Sequence, residues 1–181
     1  SIVVSTVNAG AAGVSGQLSF STGTTSGGTS GTLQFYTNDA TAGKSGNVLF
    51  AVGNTHAGEV VGGNAVLIAG DQTDQTGGTI SLSSGFGSAK SSGLIVMKTV
   101  NAGVSGSSGD LSFKSGTTSN GASGEIKMST GASTHGRGGS MYINIGKSKT
   151  DYGGDVTYYG GDAAVKTGGS ISIVSGESTA T

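Results

Sequence analysis

Cysteine, proline and tryptophan are absent from these 181 residues. No cysteine means no disulfides and no thiolate metal site. No proline, beside 37 glycines, excludes a collagen-like triple helix, which needs both. Charge is scarce, at 10% Asp, Glu, Lys and Arg, with a net charge of −1. The nine basic residues never form a run, so the clustered positive charge that nucleic-acid binding requires is missing. No apolar stretch approaches the roughly 20 residues of a membrane span. No Asn-x-Ser/Thr sequon occurs, so N-glycosylation is not expected, while O-linked sugar on Ser or Thr is left open. Ser1 rather than Met opens the chain, which fits either a removed leader or an internal segment.

What is present is repetition. "STVNAGAAGVSGQLSFSTGTTSGGTSG" (5–31) and "KTVNAGVSGSSGDLSFKSGTTSNGASG" (98–124) are identical at 18 of 27 positions. Beneath this long repeat lies a shorter one. Ser-Gly or Gly-Gly pairs close at Gly16, Gly31, Gly46, Gly63, Gly78, Gly93, Gly109, Gly124, Gly139, Gly154 and Gly169. The spacings are 15, 15, 17, 15, 15, 16, 15, 15, 15 and 15 residues, giving eleven repeats and a shorter twelfth. Two blocks follow, 1–93 and 94–181, each opening with a 16-residue repeat that contains "TVNAG". The 17-residue fourth repeat holds a two-residue insertion within "AVGNTHAGEVVGG" (51–63).

Each repeat begins with apolar residues at its second and fourth positions. Examples are Leu18/Phe20, Leu33/Phe35, Val48/Phe50, Ile80/Leu82, Leu111/Phe113 and Ile171/Ile173. Alternation of period two predicts a strand with one buried face. Thr or Ser at the sixth position (Thr22, Thr37, Ser84, Thr130) points inward by the same parity. Phe20, Phe35 and Phe50 hold one equivalent position in successive repeats and should stack. The ninth position is mostly small (Thr25, Ala40, Ser133, Ala163) and should line an opposite, thin wall. Gly at the seventh position (Gly23, Gly70, Gly85, Gly116, Gly131, Gly176) and the closing Gly should supply turns, through positive φ or close backbone approach.

The fold expected is all-β: a parallel β-solenoid with about 15 residues and two short strands per coil. Its rungs would lie roughly 4.8 Å apart, so that twelve span roughly 58 Å. An antiparallel meander and rungs built from two repeats are the alternatives. Since one coil has too few large apolar side chains to offset its own ordering entropy, only an array should fold. "SIVV" at one end and "GESTAT" at the other carry no polar cap. The expectation is an excerpt of a longer array, or a subunit whose ends pair with copies of itself.

Candidate chemistry is thin. "NDATAGKS" (38–45) and "GFGSAKSSG" (85–93) resemble fragments of a phosphate-binding loop. The first has Asn38 for the leading Gly, the second lacks Gly before Lys90, and no helix is expected after either. His56 and His135 lie in the variable second halves of non-adjacent repeats and read as surface residues. Asp39, Asp71, Asp162 and Glu177 share the eighth position, where calcium could be imagined, but Lys147 also occupies it. The outward positions Ser19, Gln34, Leu49, Val66, Lys127 and Tyr142 are too mixed for an ice-matching face. No catalytic, cofactor-binding or metal-binding residue is assigned, and no enzyme activity or cofactor is expected.

The stretches "GGSISIVSGES" and "SGDLSFKSGTTS" resemble the Gly/Ser/Thr-rich tandem repeats of large secreted or surface proteins in diatoms and related stramenopile algae. The resemblance covers the whole chain and implies an extracellular structural or adhesive role; similar stacks occur in bacterial adhesins. The expected function is a structural component of an extracellular filament, flagellar hair, fibre or cell-wall appendage. The alternative is an adhesin stalk or carbohydrate-binding module. The expected partners are further copies of the chain and cell-surface glycans, with neither nucleic acid nor a membrane span.

Overall fold

The computed structural model describes residues 1–11, 13–56 and 61–178. Among them there is no helix and no strand. The expected β-solenoid is therefore not formed, and neither is the meander or the two-repeat rung. The physical reason lies in the backbone. A strand ladder needs amides and carbonyls of neighbouring segments to pair. Here the backbone hydrogen bonds that close are within single repeats: Gly78 to Gly70, Gly93 to Gly85, and Gly169 to Gly161. Glycine at one residue in five raises the entropy lost on ordering, and the sparse apolar side chains do not offset it.

No core forms either. No described residue is buried, which corrects the expected buried face. The chain keeps 18486 Å² of accessible surface. A compact monomer of its mass would keep about 7,800 Å².

What does form is a bend in each of the eight 15-residue repeats. Bends fall at 26–28, 41–43, 73–75, 88–90, 119–121, 134–136, 149–151 and 164–166. Every one of these lies at positions 10–12 of a 15-residue repeat. The bend centre, position 11, lies midway between positions 7 and 15, and those are the residues joined in Gly70–Gly78, Gly85–Gly93 and Gly161–Gly169. Each 15-residue repeat thus reads as six residues carrying the alternating apolar side chains, then a nine-residue segment that bends at its centre and, in these three repeats, is closed by a backbone hydrogen bond.

Position 9 starts the bend. Ser133 Oγ accepts from the Gly136 amide at 3.0 Å and Ser148 Oγ from the Asp151 amide at 3.0 Å. Thr25 Oγ1 accepts from Gly27 at 3.4 Å. In the fifth repeat Gln72 Oε1 takes the amides of Thr73 and Asp74. These are side-chain mimics of a backbone turn. Where it carries a hydroxyl or amide, as at Thr25, Gln72, Ser133 and Ser148, the ninth position is a turn cap, not the opposite wall of a core.

The glycines are also used differently from expectation. Positive φ is confined, among the described residues, to Gly10, Gly13 and Gly121. The seventh-position and closing glycines have none. At several repeats the closing residue is Gly because of what it approaches. A Cβ on Gly78 or Gly169 would lie 3.1 or 3.0 Å from the backbone nitrogen of Gly70 or Gly161.

The chain divides into two units, Ser1–Leu94 and Ile95–Thr181. In the first, Phe20 and Phe35 meet edge to face with ring centroids 6.4 Å apart, and Phe35 and Phe50 do so at 6.3 Å. The phenylalanines expected to stack are therefore neighbours, but edge to face rather than stacked, and without a backbone ladder beneath them. Thr37 donates to the Gly46 carbonyl in this unit. In the second unit the matching bond runs from Thr130 to Gly139, and Lys127 pairs with Glu125 on the surface. The inserted segment of the fourth repeat lies partly outside the described residues, at 57–60.

Candidate functional site

The expected alternation is kept only in part: second-position side chains are more covered than third-position ones, whereas fourth-position ones are not, at 57–91% exposed. Second-position side chains from Leu18 to Ile171 are 45–56% exposed wherever that residue is large. Third-position neighbours such as Leu49, Val66, Val96 and Tyr142 are 63–84% exposed. One row in each unit is therefore half covered by its own chain and half open. The fourth-position row, which contains the three edge-to-face phenylalanines, is open as well; Phe50 is 79% exposed. Near its end, Tyr158, Ile171 and Ile173 line a shallow apolar cleft between the eleventh and twelfth repeats.

The sixth-position side chain lies against the closing glycine of its own repeat. Thr22 is next to Gly31, Thr37 to Gly46, Thr99 to Gly109, Thr130 to Gly139 and Ile145 to Gly154. Thr37 and Thr130 add hydroxyl bonds to the carbonyls of Gly46 and Gly139 at 3.2 and 3.3 Å. These two threonines thus bond within their own repeat.

The residues that suggested chemistry stay apart. His135 contacts the hydroxyl of its neighbour Thr134 at a bend. His56 borders a shallow concavity with Val52, Asn54 and Gly63. Asp39, Asp71, Asp162 and Glu177 each lie on a separate loop, and no group of three or more His, Asp or Glu gathers among the described residues. The two phosphate-loop fragments are ordinary repeat loops. In 85–93, the carbonyl oxygens of Lys90 and Ser91 lie 2.8 and 2.4 Å from where a Cβ on Gly87 would be. Oxygens lining a loop repel phosphate, which needs convergent N–H groups. No helix among the described residues is long and apolar enough to cross a membrane.

Position 9 is the functional class that sequence reasoning missed. Its signal was visible: a hydroxyl or amide side chain two or three residues ahead of the loop centre, as in Ser133 and Ser148.

No family model, curated protein or solved structure matches the chain.

Proposed function

We propose that this chain is a non-catalytic structural component of an extracellular filament, fibre or cell-wall appendage, in which apolar rows of one copy are covered by further copies. The observation that carries this reading is the half-open second-position row. Contiguous apolar surface is costly to leave in water and marks interaction sites in soluble proteins. Here large apolar residues recur at this position every 15–17 residues along both units, interrupted at Ala65. A surface with that period is matched best by another surface with the same period, and a second copy supplies one. The net charge of −1 offers little repulsion between copies. A head-to-tail contact between copies generates a filament where its rotation does not close into a ring.

The test is microscopy of the concentrated protein beside a variant with Leu18, Leu33 and Val48 all changed to Ser. Filaments from the parent and dispersed protein from the variant support the reading. Dispersed parent protein that instead binds particular sugars on a glycan array overturns it in favour of the carbohydrate-binding alternative.

A further inference from the structure

The eight asparagines include a single Asn-Gly step, Asn120–Gly121. It lies in the bend 119–121 of the eighth repeat. Asn120 is exposed, and its side-chain amide is in none of the hydrogen bonds that cap other loops. Gly121 has φ +136°, one of three positive values among the described residues. A side chain is strained there, so the position favours Gly. Glycine also leaves its own backbone nitrogen sterically open. The nearest atom to a Cβ added at Gly121 is Thr118 Oγ1, 3.9 Å away.

We propose that Asn120 is a site of spontaneous deamidation. The Gly121 backbone nitrogen, losing its proton to water or hydroxide, attacks Cγ of Asn120. The new N–Cγ bond closes a succinimide, the bond from Cγ to the side-chain nitrogen breaks, and ammonia leaves. Water then opens the ring. Cleavage of the N–Cγ bond yields aspartate, and cleavage on the main-chain carbonyl side yields isoaspartate. No oxidant or cofactor enters. The product carries one further negative charge on a chain of net charge −1, and the isoaspartate form adds a backbone atom inside the loop 116–124. The equivalent of Asn120–Gly121 in the first block is Gly27–Gly28, which cannot undergo this reaction. The two blocks, otherwise alike here, therefore differ in a built-in ageing site.

The experiment is peptide mapping by mass spectrometry of the full chain, aged at mildly alkaline pH in buffer and in urea. The mass change of an NH₂-for-OH exchange is expected first at Asn120, ahead of the other seven asparagines, with both isoaspartate and aspartate present. The rate in buffer should match that in urea, because the loop leaves the amide open. Asn120→Gln should abolish the early product and Gly121→Ala should slow it. Modification led by any other asparagine, or a native chain protected relative to the urea sample, overturns the proposal.

Discussion

The backbone amide of Gly169 donates to the carbonyl of Gly161 at 2.8 Å, eight residues back, and brings the ends of a loop together. Gly78 and Gly70 make the same bond in the fifth repeat, and Gly93 and Gly85 in the sixth. It recurs at one register in three repeats, with neither helix nor strand among the described residues.

Two adjacent glycines test that closure with opposite outcomes. A Cβ on Gly160 would lie 2.5 Å from the Gly169 carbonyl oxygen, whereas a Cβ on Gly161 meets nothing within 4 Å. Gly160→Ala should therefore break the Gly169–Gly161 bond, a loss of about 1 kcal/mol. Gly161→Ala should leave it in place. Amide exchange at Gly169, followed by NMR, reads the difference.

The turn caps make a second pair. Ser133→Ala and Ser148→Ala remove the acceptors of Gly136 and Asp151 and should loosen each bend by about 0.5–1 kcal/mol. The eleventh repeat has Ala163 at the same position. Ala163→Ser should supply a cap and slow exchange of the nearby Lys166 amide, while the other loops stay unchanged.

Phe35 is the middle ring of three, meeting Phe20 on one side and Phe50 on the other. Phe35→Ala should remove both edge-to-face contacts, each worth about 0.5–1.5 kcal/mol. Phe20→Ala should remove only one. Ring-proton shifts of Phe50 should move strongly in the first variant and little in the second. Tyr36→Ala, at the exposed neighbouring position, should leave them unchanged.

Much of this was legible from residue spacing. The closing glycines mark the loop ends, and the equivalence of Phe20, Phe35 and Phe50 predicts their contact. The strand assignment failed because alternation such as Leu18-Ser19-Phe20 specifies which side chains share a face, not whether a partner covers that face. In this chain Leu18 remains about half exposed, and the segments do not pair their backbones. The glycine roles were misread for a related reason. A Gly-rich repeat does not say which glycine turns the chain and which permits close approach. Gly121 has positive φ, whereas Gly78 lies against Gly70. The functional residues were less legible still, because His56, His135 and the eighth-position acids recur without converging.

If assembly buries the apolar rows, it should follow the conditions that govern hydrophobic burial. Sulfate should promote it and cooling should weaken it. Sodium chloride at moderate concentration should matter little, because few charges are present to screen. Light scattering across temperature and salt series checks this. Assembly that strengthens on cooling, or dissolves in modest sodium chloride, would point to polar contacts instead.

The central claim is that the half-open rows are covered by other copies of the chain. Sedimentation velocity over a concentration series, with a dye that fluoresces on exposed apolar surface, measures it most directly. The account predicts monomers with strong dye binding at low concentration, then larger species with dye binding per chain falling as they form. A chain that stays monomeric at the highest concentration with its dye binding unchanged would contradict it.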